Sequence, residues 1–131
     1  MAPRKPAFQL DRFFQALGDP TRLRLLNLMG TREICVCYFT EILDQPQPKI
    51  SRHLAYLRAA GLVEARREGR WMHYRITPPT HPGAAAILTQ TLQSLHDDRP
   101  MQADLTRLNK ACCTPSTSPT LQKAPPPKPT H

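Results

Sequence analysis

The sequence predicts a mainly α domain with one small β-hairpin. Three observations predict it. Apolar residues recur at helical spacing, between capping residues, through most of the chain up to Asp98. Near the middle, a short helix, a tight turn and a second helix with a polar outer face follow one another. After Gly61 the apolar period changes from that of a helix to that of a strand.

The elements follow in order. Pro6 to Leu17 reads as a first helix with Phe13, Phe14 and Leu17 as its apolar stripe. Gly18 suits its end. Asp19 then caps a second helix, with Pro20 at its first position and Leu23, Leu26 and Met29 on one face. Gly30 closes it. A third, short helix spans about Val36 to Leu43, with Phe39, Ile42 and Leu43 inward. Asp44 to Pro48 is a turn. The fourth helix begins near Pro48 and stops before Gly61. Ile50, Leu54 and Leu57 face the core, which leaves Arg52, Ala55 and Ala59 outward. This pair of helices is the helix-turn-helix pattern. Leu62 to Arg66 and Arg70 to Ile76 read as two strands joined at Glu68-Gly69, a wing. Pro78 and Pro79 end it. Gly83 to Asp98 is a long helix striped by Leu88, Leu92 and Leu95. Pro100 interrupts it, and Met101 to Asn109 is expected to form a further short helix. The fold class is therefore a winged helix-turn-helix. The two terminal helices carry stripes with little to pack on in so small a domain, so the expected assembly is a homodimer through them.

The chain has 131 residues, enough for one domain. Residues 1–110 are expected to form the DNA-binding and dimerisation domain. Residues 111–131 are expected to be a cysteine pair followed by a disordered tail, since Thr114 to His131 holds 6 of the 15 prolines and few large apolar residues. No signal peptide or membrane-length apolar run is visible, which makes the cytoplasm the expected compartment. Cysteines stay reduced there, so close cysteine pairs point to metal binding or redox sensing before structural disulfides.

The formal net charge is +8. Between Gln45 and Ile76, seven basic residues (Lys49, Arg52, Arg58, Arg66, Arg67, Arg70, Arg75) face two acidic ones (Glu64, Glu68), a local surplus of +5. A basic surplus centred on a helix-turn-helix and wing fits double-stranded DNA. The N-terminal half of the fourth helix offers Gln47, Lys49, Ser51, Arg52 and His53 to the major groove. Gln can pair bidentately with adenine and Arg with guanine. His53 lies toward the core edge, and a structural role stands beside a DNA-reading one. Arg66, Arg67 and Arg70 on the wing would reach the phosphate backbone or an adjacent minor groove. Trp71 and Tyr74 sit in an alternating hairpin and read as core before base-stacking platforms.

The four cysteines come as Cys35/Cys37 and Cys112/Cys113. The first pair lies at the start of the helix before the DNA-reading helix. Helix residues two apart point about 200° apart, so joint ligation of one ion would unwind or bend the first turn. A helix N-terminus favours thiolates, and soft thiolates select soft ions. Trivalent arsenic and antimony prefer three sulfurs; cadmium, lead and zinc more often take four ligands. Cys112 or Cys113 could supply the third ligand, or both could be idle. A thiol enzyme or metal carrier is a further reading, but no Cys-His-Asp arrangement accompanies any cysteine.

Together, Leu17-Gly18-Asp19-Pro20-Thr21-Arg22, Ile34-Cys35-Val36-Cys37, Gln47-Pro48-Lys49-Ile50-Ser51-Arg52-His53-Leu54 and Gly69-Arg70-Trp71-Met72-His73-Tyr74-Arg75 resemble the ArsR/SmtB family of metalloregulators. The resemblance runs from about Phe8 to Leu95. It implies a homodimeric winged helix-turn-helix repressor, not an enzyme, that leaves its operator when an ion binds. It also implies As(III) as inducer (or Sb(III) or a methylated arsenical), with Cys35 and Cys37 as the first two ligands. Repressors of the same fold that respond to Cd, Pb or Zn, or to thiol oxidation, are the alternatives. The third family cysteine falls at Thr40. Some relatives place paired cysteines near the C-terminus, as Cys112/Cys113 are placed. The family's second zinc site has no counterpart in the spacing of His81 and His96. Pro46 stands where a serine usually precedes the recognition helix.

Overall fold

The computed structural model describes residues 8–113, 121 and 123–129. Among the described residues, six helices run in chain order: α1 (Leu10–Leu17), α2 (Pro20–Met29), α3 (Val36–Leu43), α4 (Gln47–Ala59), α5 (Pro82–His96) and α6 (Arg99–Cys113). Four strands accompany them: β1 (Arg32–Cys35), β2 (Val63–Glu68), β3 (Trp71–Ile76) and β4 (Lys128–Pro129). They form one sheet in the order β2-β3-β1-β4.

Local chemistry explains the helix ends. The Asp19 carboxylate accepts the Arg22 backbone N–H at 3.1 Å and caps α2, with Pro20 at the first helical position. Gly30 ends α2 at φ +48°, a conformation unfavourable to a side chain, and its N–H closes on the Leu26 carbonyl. α4 starts after Pro46, which has no side chain to cap it, so the Pro46 carbonyl takes the N–H groups of Lys49 and Ile50.

Phe13, Leu25, Leu26, Met29, Phe39, Ile50, Leu54, Leu57 and Leu62 form the centre of the core, all fully buried. Their spacing on α2, α3 and α4 places the polar outer side of α4 in solvent, which positions the DNA-reading helix. The wing is an antiparallel hairpin in register from Val63↔Ile76 to Glu68↔Trp71. Its two-residue turn is Gly69-Arg70, one position later than expected, with Gly69 at φ +59°.

Several expectations need correction. The strand β1 was absent from the sequence reading: four residues are too few to show an alternating pattern. It pairs antiparallel with β3 through Ile34↔Tyr74 and Cys35↔His73. α1 begins at Leu10, after Phe8 and Gln9. Residues 1–7, which include the expected start of this helix, lie outside the described residues. The helical run is interrupted after His96 as expected, but the further helix is longer than Met101 to Asn109: α6 has fifteen residues, with Pro100 in its first turn, where its missing N–H has no partner to lose. Tail positions expected to be disordered include buried Leu121 and Ala124. Lys128–Pro129 pairs with Arg32 and Glu33 of β1. The remainder of the expected tail lies outside the described residues.

α6 is tied to α2 by charge. Asp104, 2 % exposed, accepts two hydrogen bonds from the Arg24 guanidinium at 2.8 and 3.0 Å and a further one from Arg107. Asn27 donates to the Met101 carbonyl at 2.9 Å in the same interface. No helix among the described residues is long and apolar enough to cross a membrane.

Candidate DNA interface and thiol site

On α4, Gln47, Lys49 and Arg52 are exposed and Ser51 is half-buried. His53 turns back toward α2. Its Nδ1 lies 3.3 Å from the Arg22 guanidinium and 3.9 Å from the Asp19 carboxylate. Burial lowers its pKa below the usual histidine range, and the charges of Arg22, Lys49 and Arg52 oppose protonation further, although Asp19 favours it. Held in this way, the imidazole joins α4 to α2. Arg22 is itself a hub: it donates to the carbonyls of Ala16 and Gln15 at 2.9 Å each and stacks 4.2 Å over the Tyr56 ring.

The three wing arginines differ. Arg67 is exposed at the hairpin. Arg70 is exposed and stacks 4.6 Å over the Trp71 ring. Arg66 is held by Glu33 of β1, donating through Nη2 at 2.6 Å and Nε at 3.0 Å to Oε1. Trp71 and Tyr74 are half-buried against the core.

The cysteine pair lies at the junction of β1 and α3. Cys35 is fully buried and Cys37 half-buried. Their sulfurs are 3.5 Å apart, with the Cys35 thiol donating to Cys37. This corrects the expectation that joint ligation must unwind a helical turn. Cys35 precedes the helix in extended conformation (φ −67°, ψ 142°), so helical angles do not separate the two side chains. The hydrogen bond from Cys35 lowers the Cys37 pKa to about 7, against its own burial and with help from nearby Arg70. The same bond and burial push the Cys35 thiol well up. The pair is thus a thiol that donates to a neighbouring sulfur of lowered pKa. Two sulfurs sharing one ion at about 2.3 Å each stand roughly 3.3–3.8 Å apart, and the observed spacing lies within that range.

Two groups bear on the third position, Thr40 on α3 and Cys112 on α6. Thr40, where the family's third cysteine falls, instead donates its hydroxyl to the Cys37 carbonyl at 2.8 Å. Cys112, near the end of α6, is half-buried, and its thiol donates to the Asn109 carbonyl at 3.2 Å. α6 packs on α3. Burial raises the Tyr38 pKa, and charge on Cys112, Cys35 and Cys37 adds to it, so the Tyr38 hydroxyl senses both the pair and Cys112. The side chain of Cys113 lies outside the described residues. Among the described residues, no three His, Cys, Asp or Glu side chains gather at metal-binding spacing.

Sequence reasoning missed Glu33, His73 and Arg22. His73 is 2 % exposed, with Nε2 3.1 Å from the Glu68 carboxylate. Only the register of β1 on β3 brings it opposite Cys35.

A helix-turn-helix with a basic hairpin wing defines a DNA-binding regulator. Comparison with known proteins gives it a family. The model of the bacterial regulatory proteins of the arsR family matches residues 19–65. The arsenical resistance operon repressor of Escherichia coli is 39% identical over 104 residues, covering 79% of this chain and 87% of that one. The arsenic resistance transcriptional regulator ArsR1 of Pseudomonas putida is 46% identical over 76 residues, covering 57% of this chain and 59% of that one. Among solved structures, the homodimeric winged helix-turn-helix DNA-binding domain Mb0332 of Mycobacterium bovis, a possible ArsR-family regulator, superposes with a TM-score of 0.56. It is 29% identical and the match covers 76% of this chain and 93% of that one. The chain belongs to the ArsR family of transcriptional regulators. It is a DNA-binding protein by fold and family, not an enzyme.

Proposed function

We propose that this protein is an arsenic-responsive repressor that binds operator DNA as a homodimer and dissociates when As(III) binds Cys35 and Cys37. The observation that carries the reading is the 3.5 Å separation of the two sulfurs at the start of α3, which packs directly on the DNA-reading α4. Sb(III) and methylated arsenicals share the thiophilic, pyramidal chemistry and are inducers of the same class. Cys112 or Cys113 supplies the third sulfur, from the same subunit or its partner. Gln47, Lys49, Ser51 and Arg52 read the major groove, Arg67 and Arg70 serve the phosphates, and Arg66, held by Glu33, braces the wing beside them. The dimer forms through the terminal helices; Leu10 and Phe14 of α1 are large apolar side chains left 39% and 49% exposed for it. The similarity to an arsenical resistance operon repressor and to an arsenic resistance transcriptional regulator supports the choice of ion.

To move a repressor from almost wholly DNA-competent to almost wholly released, the ion must favour the released state by about 5.5 kcal/mol. A pair that already sits at ligation distance binds well in either state, and equal affinity shifts nothing. The discrimination must therefore come from what the ion moves: the third ligand, or the strand that carries Cys35.

The test is fluorescence anisotropy of the reduced protein on DNA from upstream of its own gene, titrated with arsenite, beside a Cys35→Ser/Cys37→Ser variant. Release of the native protein alone is the expected result. DNA binding by both with response from neither overturns arsenic as inducer, and cadmium, lead, zinc and peroxide are then tried in turn. Thiol oxidation is the second reading that the geometry favours, because a thiolate 3.5 Å from a thiol can also close a disulfide. Release by peroxide in metal-free buffer would establish it.

A further inference from the structure

Cys35 ends β1, and β1 lies inside the sheet rather than at the wing's tip. Across the sheet, Cys35 pairs with His73 of β3, and His73 pairs with Arg66 of β2. Directly paired residues project from the same face, so the three side chains form one row from the thiol site into the wing. Glu33 lies two residues before Cys35 and shares that face. Its carboxylate grips Arg66 with bonds of 2.6, 3.0 and 3.2 Å, linking residues 33 apart in sequence. Glu33 is only 13% exposed, and Arg66 is steadied further by Glu68 at 3.8 Å. Glu68 in turn meets the buried His73. Apart from backbone pairing, this network joins the strand that carries Cys35 to the DNA-facing hairpin.

We propose that Glu33 is a positioning residue that couples occupation of the Cys35/Cys37 pair to the position of the wing. This rests on the reading of that pair as the effector site. An ion tied to both sulfurs pins the end of β1 to the first turn of α3. Glu33 carries that constraint to Arg66, because a bidentate carboxylate–guanidinium pair has a fixed geometry. Arg66 then acts as a strut of the wing, and Arg67 and Arg70 face the phosphates.

The test uses phenylarsine oxide, which closes on two neighbouring thiols by exchanging its oxygen for two sulfurs and releasing one water. The full chain carries Cys112→Ser and Cys113→Ser, so that only the pair reacts, and mass spectrometry confirms one ring per subunit. Emission of Trp71, the only tryptophan, reports the wing. Expected without further change are a shifted Trp71 emission and DNA binding weakened by about tenfold or more. Glu33→Gln and Arg66→Gln should each cut that loss to about threefold or less, while Arg67→Gln keeps it, whatever each does to basal affinity. An unchanged loss in both strut variants overturns the proposal. So does an unshifted wing once the ring has formed. Failure of the ring to form removes both this proposal and the effector site. Release by phenylarsine oxide but not by arsenite overturns the inducer alone.

Discussion

The sulfurs of Cys35 and Cys37 meet at 3.5 Å because one residue is in a strand and the other in a helix. Side chains two apart within a helix diverge, and within a strand they share a face but stand apart along it. At the junction, the extended backbone of Cys35 folds its side chain against the first turn of α3. The backbone thus holds the two sulfurs side by side, one a hydrogen-bond donor and the other of lowered pKa.

The first consequence is a pH dependence. The Cys37 pKa is lowered to about 7 by the hydrogen bond from Cys35. Alkylation of Cys37 by iodoacetamide should therefore rise as pH passes through 7 and level off above it, since the thiolate is the nucleophile. Removing the donor in Cys35→Ala should carry the inflection up toward the ordinary value of 9.0. A pH–rate profile followed by peptide mass spectrometry measures both; an inflection unmoved by Cys35→Ala would show that the donor is not the cause.

Thr40 offers the complementary experiment. It lies one turn after Cys37 on α3 and on the same face, with its hydroxyl on the Cys37 carbonyl. Thr40→Cys should place a third sulfur beside the pair within one helix. X-ray absorption should then count three sulfurs per arsenic when Cys112 and Cys113 are both Ser, and arsenite should bind roughly tenfold or more tightly than to the same double-Ser chain with Thr40 intact, a gain of about 1.4 kcal/mol or more. A count of two would mean that the α3 backbone holds position 40 out of reach.

At the DNA face, base-reading and phosphate-holding residues should separate in their salt response. Arg67→Gln should weaken binding to all sequences alike and reduce the slope of log affinity against log salt by about 1 per subunit, about 2 for the dimer. Gln47→Ala should leave that slope in place and cost about 1–3 kcal/mol against the preferred base at one position. Anisotropy over a salt series with a panel of point-substituted operators distinguishes the two patterns.

Stability should depend strongly on one carboxylate. Asp104 is buried and answers both Arg24 and Arg107 between α2 and α6. Asp104→Ala would leave the partly buried Arg24 without its partner, at a cost of about 2 kcal/mol. Urea unfolding should show a lower midpoint with an unchanged slope. A loss below about 0.5 kcal/mol would place this pair with ordinary surface ion pairs.

Much of the molecule was legible in local pattern. The α2 cap at Asp19, the inward Ile50, Leu54 and Leu57, the exposed Gln47, Lys49 and Arg52, and the alternating hairpin all follow from periodicity and capping, which act over a few residues. The pairing of the close cysteines was legible too, and with the motifs around it pointed to the family. What only the tertiary structure decided depends on distant partners. β1 is a strand because β3 pairs with it some forty residues later in the chain, and no four-residue segment announces its partner. That pairing sets Cys35 extended and brings the sulfurs together, where helical geometry alone would have parted them. It also turns Arg66 onto Glu33 and sets buried His73 opposite Cys35. His53 likewise reads from its place on α4 as either a DNA contact or a structural group, and its contact with Arg22 is visible only once α2 packs against that helix. Sequence determines which groups are present and which face they occupy; the long-range packing of strands and charges determines which of them are free to meet DNA or an ion.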